Sequence, residues 1–299
     1  MTPGRSEKIL VAGASGMLGS ELINQLRARG NWQIVETAFS KSRGEQIRMD
    51  MTDSDAVEKL IADIKPAVVF NCAAYTDVDK AEETEDVALA VNGYGVGHLA
   101  SACKRQNCFL VHVSSDYVFN GSRTIPYLPT DPRQPQSAYG RSKLLGEEQL
   151  LTHGDKWAMV RTSWMFGLNG KNFIETILTL AKTKTKLNVV NDQTGCPTFT
   201  ADLSKCLIDM GLNRIVGTHH FCNGPQCTWF DFAKKAIELS GLDCVIEPCL
   251  SEQYPRPAKR PTYSVLDCHS TFDRLGWRSR NWSEALEEYI EKSKEVSVS

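Results

Sequence analysis

Tyr139-Gly-Arg-Ser-Lys143 sets a phenol and an ammonium four residues apart in a stretch with helical character. Residues at that interval share one face of a helix, so the two side chains lie side by side. A free tyrosine keeps its proton to about pH 10, too tightly for efficient exchange near neutrality, and an adjacent cation lowers that value. The pair is equipment for general acid-base chemistry. A third group stands upstream, where Phe109-Leu-Val-His-Val-Ser114-Ser115-Asp116-Tyr117 reads as a strand ending in hydroxyls and an acid. Strand C-termini in an open parallel sheet face the ligand crevice, so Ser115 is placed to grip a carbonyl oxygen beside the phenol. Ser115, Tyr139 and Lys143 form the expected catalytic trio. A serine in such a place also serves as a helix cap, and a tyrosine as a packing aromatic.

Near the N-terminus, Ile9-Leu-Val-Ala-Gly13-Ala-Ser-Gly16-Met-Leu-Gly19 runs from a strand through a tight turn into a helix. Glycine permits the turn and lets backbone approach a pyrophosphate, which the helix N-terminus attracts. The spacing is G-x-x-G-x-x-G, and its place between a first strand and an amphipathic helix makes it a dinucleotide signal. Gly13, Ser15, Gly16, Met17, Leu18 and Gly19 are the expected contacts. An acid ending the second strand would hold the ribose 2′-hydroxyl of NAD. Here Phe39-Ser40-Lys41-Ser42-Arg43 offers two cations and no acid, and Glu36 comes too early. Ser40, Lys41 and Arg43 suit a 2′-phosphate, which makes NADPH the expected cofactor. A merely solvated loop would read the same, so NADH stays open. Asp50 and Met51 are placed to meet the adenine.

The scaffold for these groups shows as an alternation of short β-branched runs and helical stretches, the pattern of a doubly wound parallel sheet of Rossmann type. Strands are expected at Ile9–Ala12, Ile34–Phe39, Ala67–Cys72, Phe109–Val113 and Ala158–Arg161. Leu18, Leu22 and Leu26 mark the first helix, which Gly30 ends. A second runs from Ser54 to Ile64 with Ser54 or Asp53 as its cap, a third from Val87 to Gln106, a fourth from Tyr139 to Leu151. After about Gly167 the elements shorten and prolines gather. We read residues 1–166 as the dinucleotide domain and 167–299 as a smaller, discontinuous substrate domain, with part of 188–220 returning to the first. The last residues, from Lys292, read as a frayed tail.

A chain of 299 residues with 41% hydrophobic and 23% charged residues is an ordinary globular protein. A net charge of −2 argues against nucleic acid and anionic membrane. With no apolar leader and no spanning run, the cytoplasm is the expected location. The ten cysteines include no Cys-x-x-Cys and read as reduced, mostly buried thiols, and no metal site is expected.

Several longer motifs carry a resemblance: Asn71-Cys72-Ala73-Ala74-Tyr75-Thr-Asp77-Val-Asp79-Lys80-Ala-Glu82, Ser114-Ser115-Asp116-Tyr117-Val-Phe119-Asn120-Gly121, Arg161-Thr-Ser163-Trp164, Asn191-Asp192-Gln193-Thr-Gly195-Cys-Pro197-Thr198, and Arg260-Pro261-Thr-Tyr-Ser264-Val-Leu266-Asp267. With the glycine loop and the trio, they make the chain resemble the extended short-chain dehydrogenase/reductases, and within them the dTDP-4-dehydrorhamnose reductase family, from Ile9 to about Tyr289. The resemblance implies that Cys72, Ala73, Ala74 and Tyr75 line the nicotinamide end of the cofactor. It implies that Asp116, Tyr117, Trp164, Arg256 and Arg260 hold a dTDP-sugar. Arginine forks suit a diphosphate and aromatic rings a base. Asn92 is either part of a proton path or structural. The family usually has Thr at Ser115, Asp at Asn120 and Thr at Ala12; the hydroxyl at 115 is retained. Its magnesium has no basis in these residues. The regulatory β-subunits of methionine adenosyltransferases share the fold and the Tyr-x-x-x-Lys yet act as binding partners. That role, another 4-keto sugar, and a homodimer or protein partner remain open readings.

Overall fold

The β-branched runs become parallel strands because each is apolar on both faces and is covered from both sides. The computed structural model describes residues 7–30, 32–39 and 45–298. Its main sheet begins with β1 (Lys8–Ala12), β2 (Gln33–Ala38), β3 (Ile47–Arg48), β4 (Val68–Asn71), β5 (Phe109–Ser115) and β6 (Trp157–Thr162). Three small pairs lie outside it. β7 (Met165–Phe166) runs parallel to β10 (Thr198–Phe199), β8 (Lys186–Val190) parallel to β13 (Val245–Cys249), and β9 (Thr194–Gly195) antiparallel to β12 (Cys227–Thr228). The chain then comes back: β11 (Gly217–His220) pairs with β6, completing a seven-stranded sheet in the order β11-β6-β5-β4-β1-β2-β3. This is the doubly wound parallel architecture expected from the sequence.

Helices cover both faces. On one, α1 (Met17–Arg29) sets Leu18, Leu22 and Leu26 against Leu203 and Leu207 of α7 (Thr200–Leu212), over Ile9, Val11 and Val68. On the other, α2 (Ser54–Ile64) and α4 (Gly95–Arg105) bury Val57, Ile61 and Leu99 over Leu10, Val69 and Leu110. Asp53 caps α2, its side chain accepting from the Ala56 amide, so Ser54 is the first helical residue. The single helix expected from Val87 to Gln106 is broken into α3 (Glu85–Leu89), a π-helical turn (Ala90–Tyr94) and α4. This turn faces α5 (Ala138–His153) at very close range: a Cβ on Gly146 would lie 2.1 Å from the Asn92 carbonyl oxygen.

The remaining helices, α6 (Phe173–Ala181), α8 (Trp229–Ser240), α9 (His269–Leu275) and α10 (Trp282–Val298), follow β7. A separate aromatic core of Phe166, Phe199, Phe232 and Tyr289 holds α8 and α10 together. The expected frayed tail from Lys292 is helical instead. Lys292 pairs with Glu288 one turn back at 2.6 Å, and Ile290 is anchored in that core.

Candidate active site

Gly13 ends β1 at φ +77°, and a Cβ there would stand 2.7 Å from the Ala73 amide nitrogen. Only glycine allows β1 and the residues after β4 to close up in this way. The amides of Gly13 and Ala14 both donate to the Thr37 carbonyl, at 3.0 and 2.9 Å, and so belong to β2. The first-turn amides of α1, from Met17 to Gly19, are left by the helix without intrahelical acceptors, which is what an anion site requires. Leu18 contributes no more than that amide, because its side chain is in the core. Beyond the loop, a cleft of about 380 Å³ runs past Ala38, Phe39, Met51, Ala73 and Tyr75, with Asp50 in its wall. The Thr52 amide and hydroxyl, 2.9 and 2.7 Å away, hold Asp50 below the usual carboxylate range. Glycine turn, helix N-terminus and apolar slot at the topological switch point fit a dinucleotide. Glu36 is committed to Arg27 at 2.5 Å and to Gln46 at 3.1 Å. Ser40, Lys41 and Arg43 lie outside the described residues.

The trio assembles at the C-terminal end of β5. Ser114 and Ser115 alternate across the strand. Ser114 turns to buried Glu147 at 2.6 Å, while Ser115 donates to Asp116 Oδ1 at 2.9 Å and accepts from the Tyr117 amide at 3.2 Å. Ser115 is thus both a cap for the 3₁₀ turn Asp116–Val118 and a member of the site. Tyr139 sits in the first turn of α5, capped by Ser137, and meets Tyr117 edge-on with centroids 5.5 Å apart.

The electrostatics differ from what the spacing suggests. Burial raises the Tyr139 phenol, opposed by its bond to Ser115. Lys143 turns its Nζ to the Val113 carbonyl at 2.8 Å, and burial lowers it to about 8, with Glu147 opposing. The expected depression of the tyrosine by the lysine is not what this geometry produces. Desolvation acts on both groups, so lysine yields its proton before tyrosine does. Asp116, buried, is raised to about 6, against the pull of the Ser264 and Ser115 hydroxyls.

Asn92, from the π-helical turn, is spent on structure. Its Oδ1 accepts from the Tyr75 amide at 2.8 Å, and its Nδ2 donates to the Tyr75 carbonyl at 2.9 Å and to Ser142 at 3.0 Å. It clamps the Ala73–Tyr75 loop to α5 beside Lys143. Cys72 is a neutral thiol, pushed up to about 12 by burial.

A second cleft, of about 620 Å³, opens on the other side of Tyr117 and carries Asp79, Trp229, Gln193, Arg256 and Arg260. Asp79 receives Arg260 at 2.9 Å, Arg256 at 3.8 Å and the Ala258 amide at 3.3 Å, pinning the segment before Pro261 across the opening. Trp164 reaches this cleft through another ring. At φ +45° it stacks on Trp229, centroids 3.6 Å apart, and it is Trp229 that faces the opening.

Over residues 7–295 the chain matches the model of the RmlD substrate binding domain. The chain belongs to this family. A spore coat polysaccharide biosynthesis protein, SpsK of Bacillus subtilis, is 40% identical over 95% of this chain and 97% of its own length. A dTDP-4-dehydrorhamnose reductase of Mycobacterium tuberculosis is 42% identical over 95% and 92%. Among solved structures, a dTDP-4-dehydrorhamnose reductase of Clostridium acetobutylicum superposes with a TM-score of 0.91 at 40% identity, covering 96% of this chain and 99% of that one. The Bacillus anthracis enzyme, solved in complex with NADP, gives 0.90 at 32% identity, covering 96% and 100%.

Four residues given no role by the sequence now stand at the site: Asp79, Trp229, Gln193 and Glu147. Asp79 and Gln193 lie inside the motifs quoted above, which was a usable signal. Trp229 follows the cap Thr228, and nothing local reveals its stacking on Trp164.

Proposed function

We propose that the chain reduces the C4 ketone of dTDP-4-dehydro-L-rhamnose with NADPH, giving dTDP-L-rhamnose. It is an NAD(P)H-dependent oxidoreductase of the dTDP-4-dehydrorhamnose reductase type. The observation that carries the finer reading is a shared wall. Tyr117 packs edge-on against Tyr139 at 5.5 Å and also lines the cleft that holds Arg256 and Arg260. A proton donor and a cleft carrying two arginines are thus neighbours, as a 4-keto sugar linked to a nucleoside diphosphate requires.

NADPH, when bound, supplies the hydride. The first-turn amides of α1 take its pyrophosphate, and the slot beside Asp50 and Met51 takes its adenine. Tyr139, kept protonated by burial, donates to the oxygen of the ketone as general acid. Ser115 orients that oxygen, and Lys143, one helical turn from Tyr139 and held by the Val113 carbonyl, supplies positive charge to the site. Arg256 and Arg260 receive the diphosphate.

The test mixes purified protein with dTDP-4-dehydro-L-rhamnose and follows NADPH absorbance, with NADH and Tyr139→Phe in parallel. Rapid oxidation in the wild type and a loss of roughly 10²–10⁴-fold in the variant is expected. Tight NADPH binding without turnover would overturn the reading and point to a binding role.

A further inference from the structure

Glu147 lies one helical turn beyond Lys143 on α5, as Lys143 lies one turn beyond Tyr139, and it is fully buried. Its Oε1 accepts from Ser114 Oγ at 2.6 Å and from Arg161 Nε at 2.8 Å. Its Oε2 accepts from Arg161 Nη2 at 2.8 Å and from Arg133 Nη1 at 3.1 Å. Ser114 precedes Ser115 on β5. Arg161, on β6, passes its remaining nitrogen to the Pro129 carbonyl at 2.9 Å and to His220 Nε2 at 3.2 Å. One carboxylate therefore joins α5, β5, β6 and the loop before α5, directly behind the trio.

The surroundings of Lys143 give that carboxylate a second consequence. From β5, the Val113 carbonyl and His112 face the ammonium; from the end of β4, Cys72 does. Burial keeps the thiol protonated and holds the imidazole well below its ordinary value, so both are uncharged near neutrality. Tyr139 retains its proton. Arg161 and Arg133 approach Glu147 through its carboxylate oxygens and offset part of its charge. Among the described residues facing Lys143, Glu147 is the anion, at a place where burial would otherwise strip the lysine of its proton.

We propose that Glu147 is a positioning residue for the reduction, holding Lys143 in its ammonium form and fixing the helix of Tyr139 against the strand of Ser115. It acts through Lys143 and Ser114. The inference rests on the proposed role of the trio for its catalytic meaning, but its first test does not.

Lysine ammonium groups labelled with ¹⁵N are titrated by NMR in the protein without cofactor, Lys143 being assigned by loss of its signal in Lys143→Met. Glu147→Gln alone leaves Arg161 buried opposite an amide and is expected to fold poorly. Glu147→Gln/Arg161→Met removes the buried pair and leaves only Arg133, which is partly exposed, so it is expected to fold while Lys143 still loses its anion. In the double variant the Lys143 midpoint is expected to fall by about one pH unit. The alkaline limb of kcat/KM for ketone reduction shifts by the same amount, with KM for NADPH little changed on the acid side. A folded double variant whose Lys143 midpoint matches the wild type overturns the proposal and leaves Glu147 a packing element. The NMR midpoint is read without any turnover, so this proposal and the functional one fail separately.

Discussion

Arg260 gives Nη2 to Asp79 at 2.9 Å, while its Nη1, also buried, has no partner among the described residues. The Tyr117 ring stands beneath the guanidinium, 5.9 Å from centroid to Cζ. One edge of the fork is held, and in the proposed function the other meets the nucleotide-sugar, which would be preorganisation. Lysine cannot serve both edges at once. Arg260→Lys is expected to raise KM for the nucleotide-sugar roughly tenfold, about 1.4 kcal/mol, with kcat within about twofold. Steady-state kinetics with saturating NADPH checks this; an unchanged KM would remove Arg260 from the binding site.

Lys143 carries a stability cost. Its folded value of about 8 lies below that of an exposed lysine, so the unfolded chain binds the proton more tightly. Stability is therefore depressed at every pH below about 8 and recovers as pH rises from there toward the ordinary lysine value. The cost is on the order of 3 kcal/mol. Lys143→Met is expected to unfold at a higher temperature than wild type at pH 7 while losing ketone reduction. Calorimetry at pH 7 and pH 10, with the gap closing at the higher pH, is the check.

Asp116 titrates at about 6 and accepts the Ser115 hydroxyl proton when ionised. That bond fixes the Ser115 side chain beside the Tyr139 phenol. Protonation of Asp116 leaves only a neutral carbonyl acceptor and loses the charge-assisted bond, so kcat/KM is expected to decline as pH falls through about 6. Asp116→Asn offers that neutral acceptor at every pH, so its kcat/KM should be lowered throughout and lack this acid limb. A limb that survives in the variant assigns it elsewhere.

Gly195 lies under the stacked indoles: a Cβ there would be 2.6 Å from Trp164 Cε2. Gly195→Ala must move Trp164, and through it Trp229 at the cleft. Overpacking of this kind costs about 1–3 kcal/mol. A fall of a few degrees in Tm is expected, together with weaker nucleotide-sugar binding by titration calorimetry. Retention of both would mean the indole pair shifts without consequence.

The sequence makes β1 and the glycine loop plain, because an apolar run, turn glycines and the leucine period of α1 agree there, and α5 shows through the spacing of Tyr139 and Lys143. β3 has two residues, too few for any pattern. β11 is Gly-Thr-His-His, with no apolar run; it is a strand because it lies beside β6, and its His220 meets Arg161. Asp79 meets arginines far along the chain, and no local rule links them. Tyr139 and Lys143 were evident from spacing, but the order in which they lose protons depends on burial, which spacing does not contain.

The pairing of β11 with β6 also constrains how this molecule can be made or divided. Until residue 220 has been synthesised, the nascent sheet ends in the bare edge of β6, and the leucines of α1 lack their partners on α7. An unpaired edge beside uncovered apolar surface is a template for aggregation through that interval. For the same reason a gene cut after residue 166 would not yield a free-standing cofactor module. Recombination between relatives that exchanges only the far lobe must carry 200–220 with the first half.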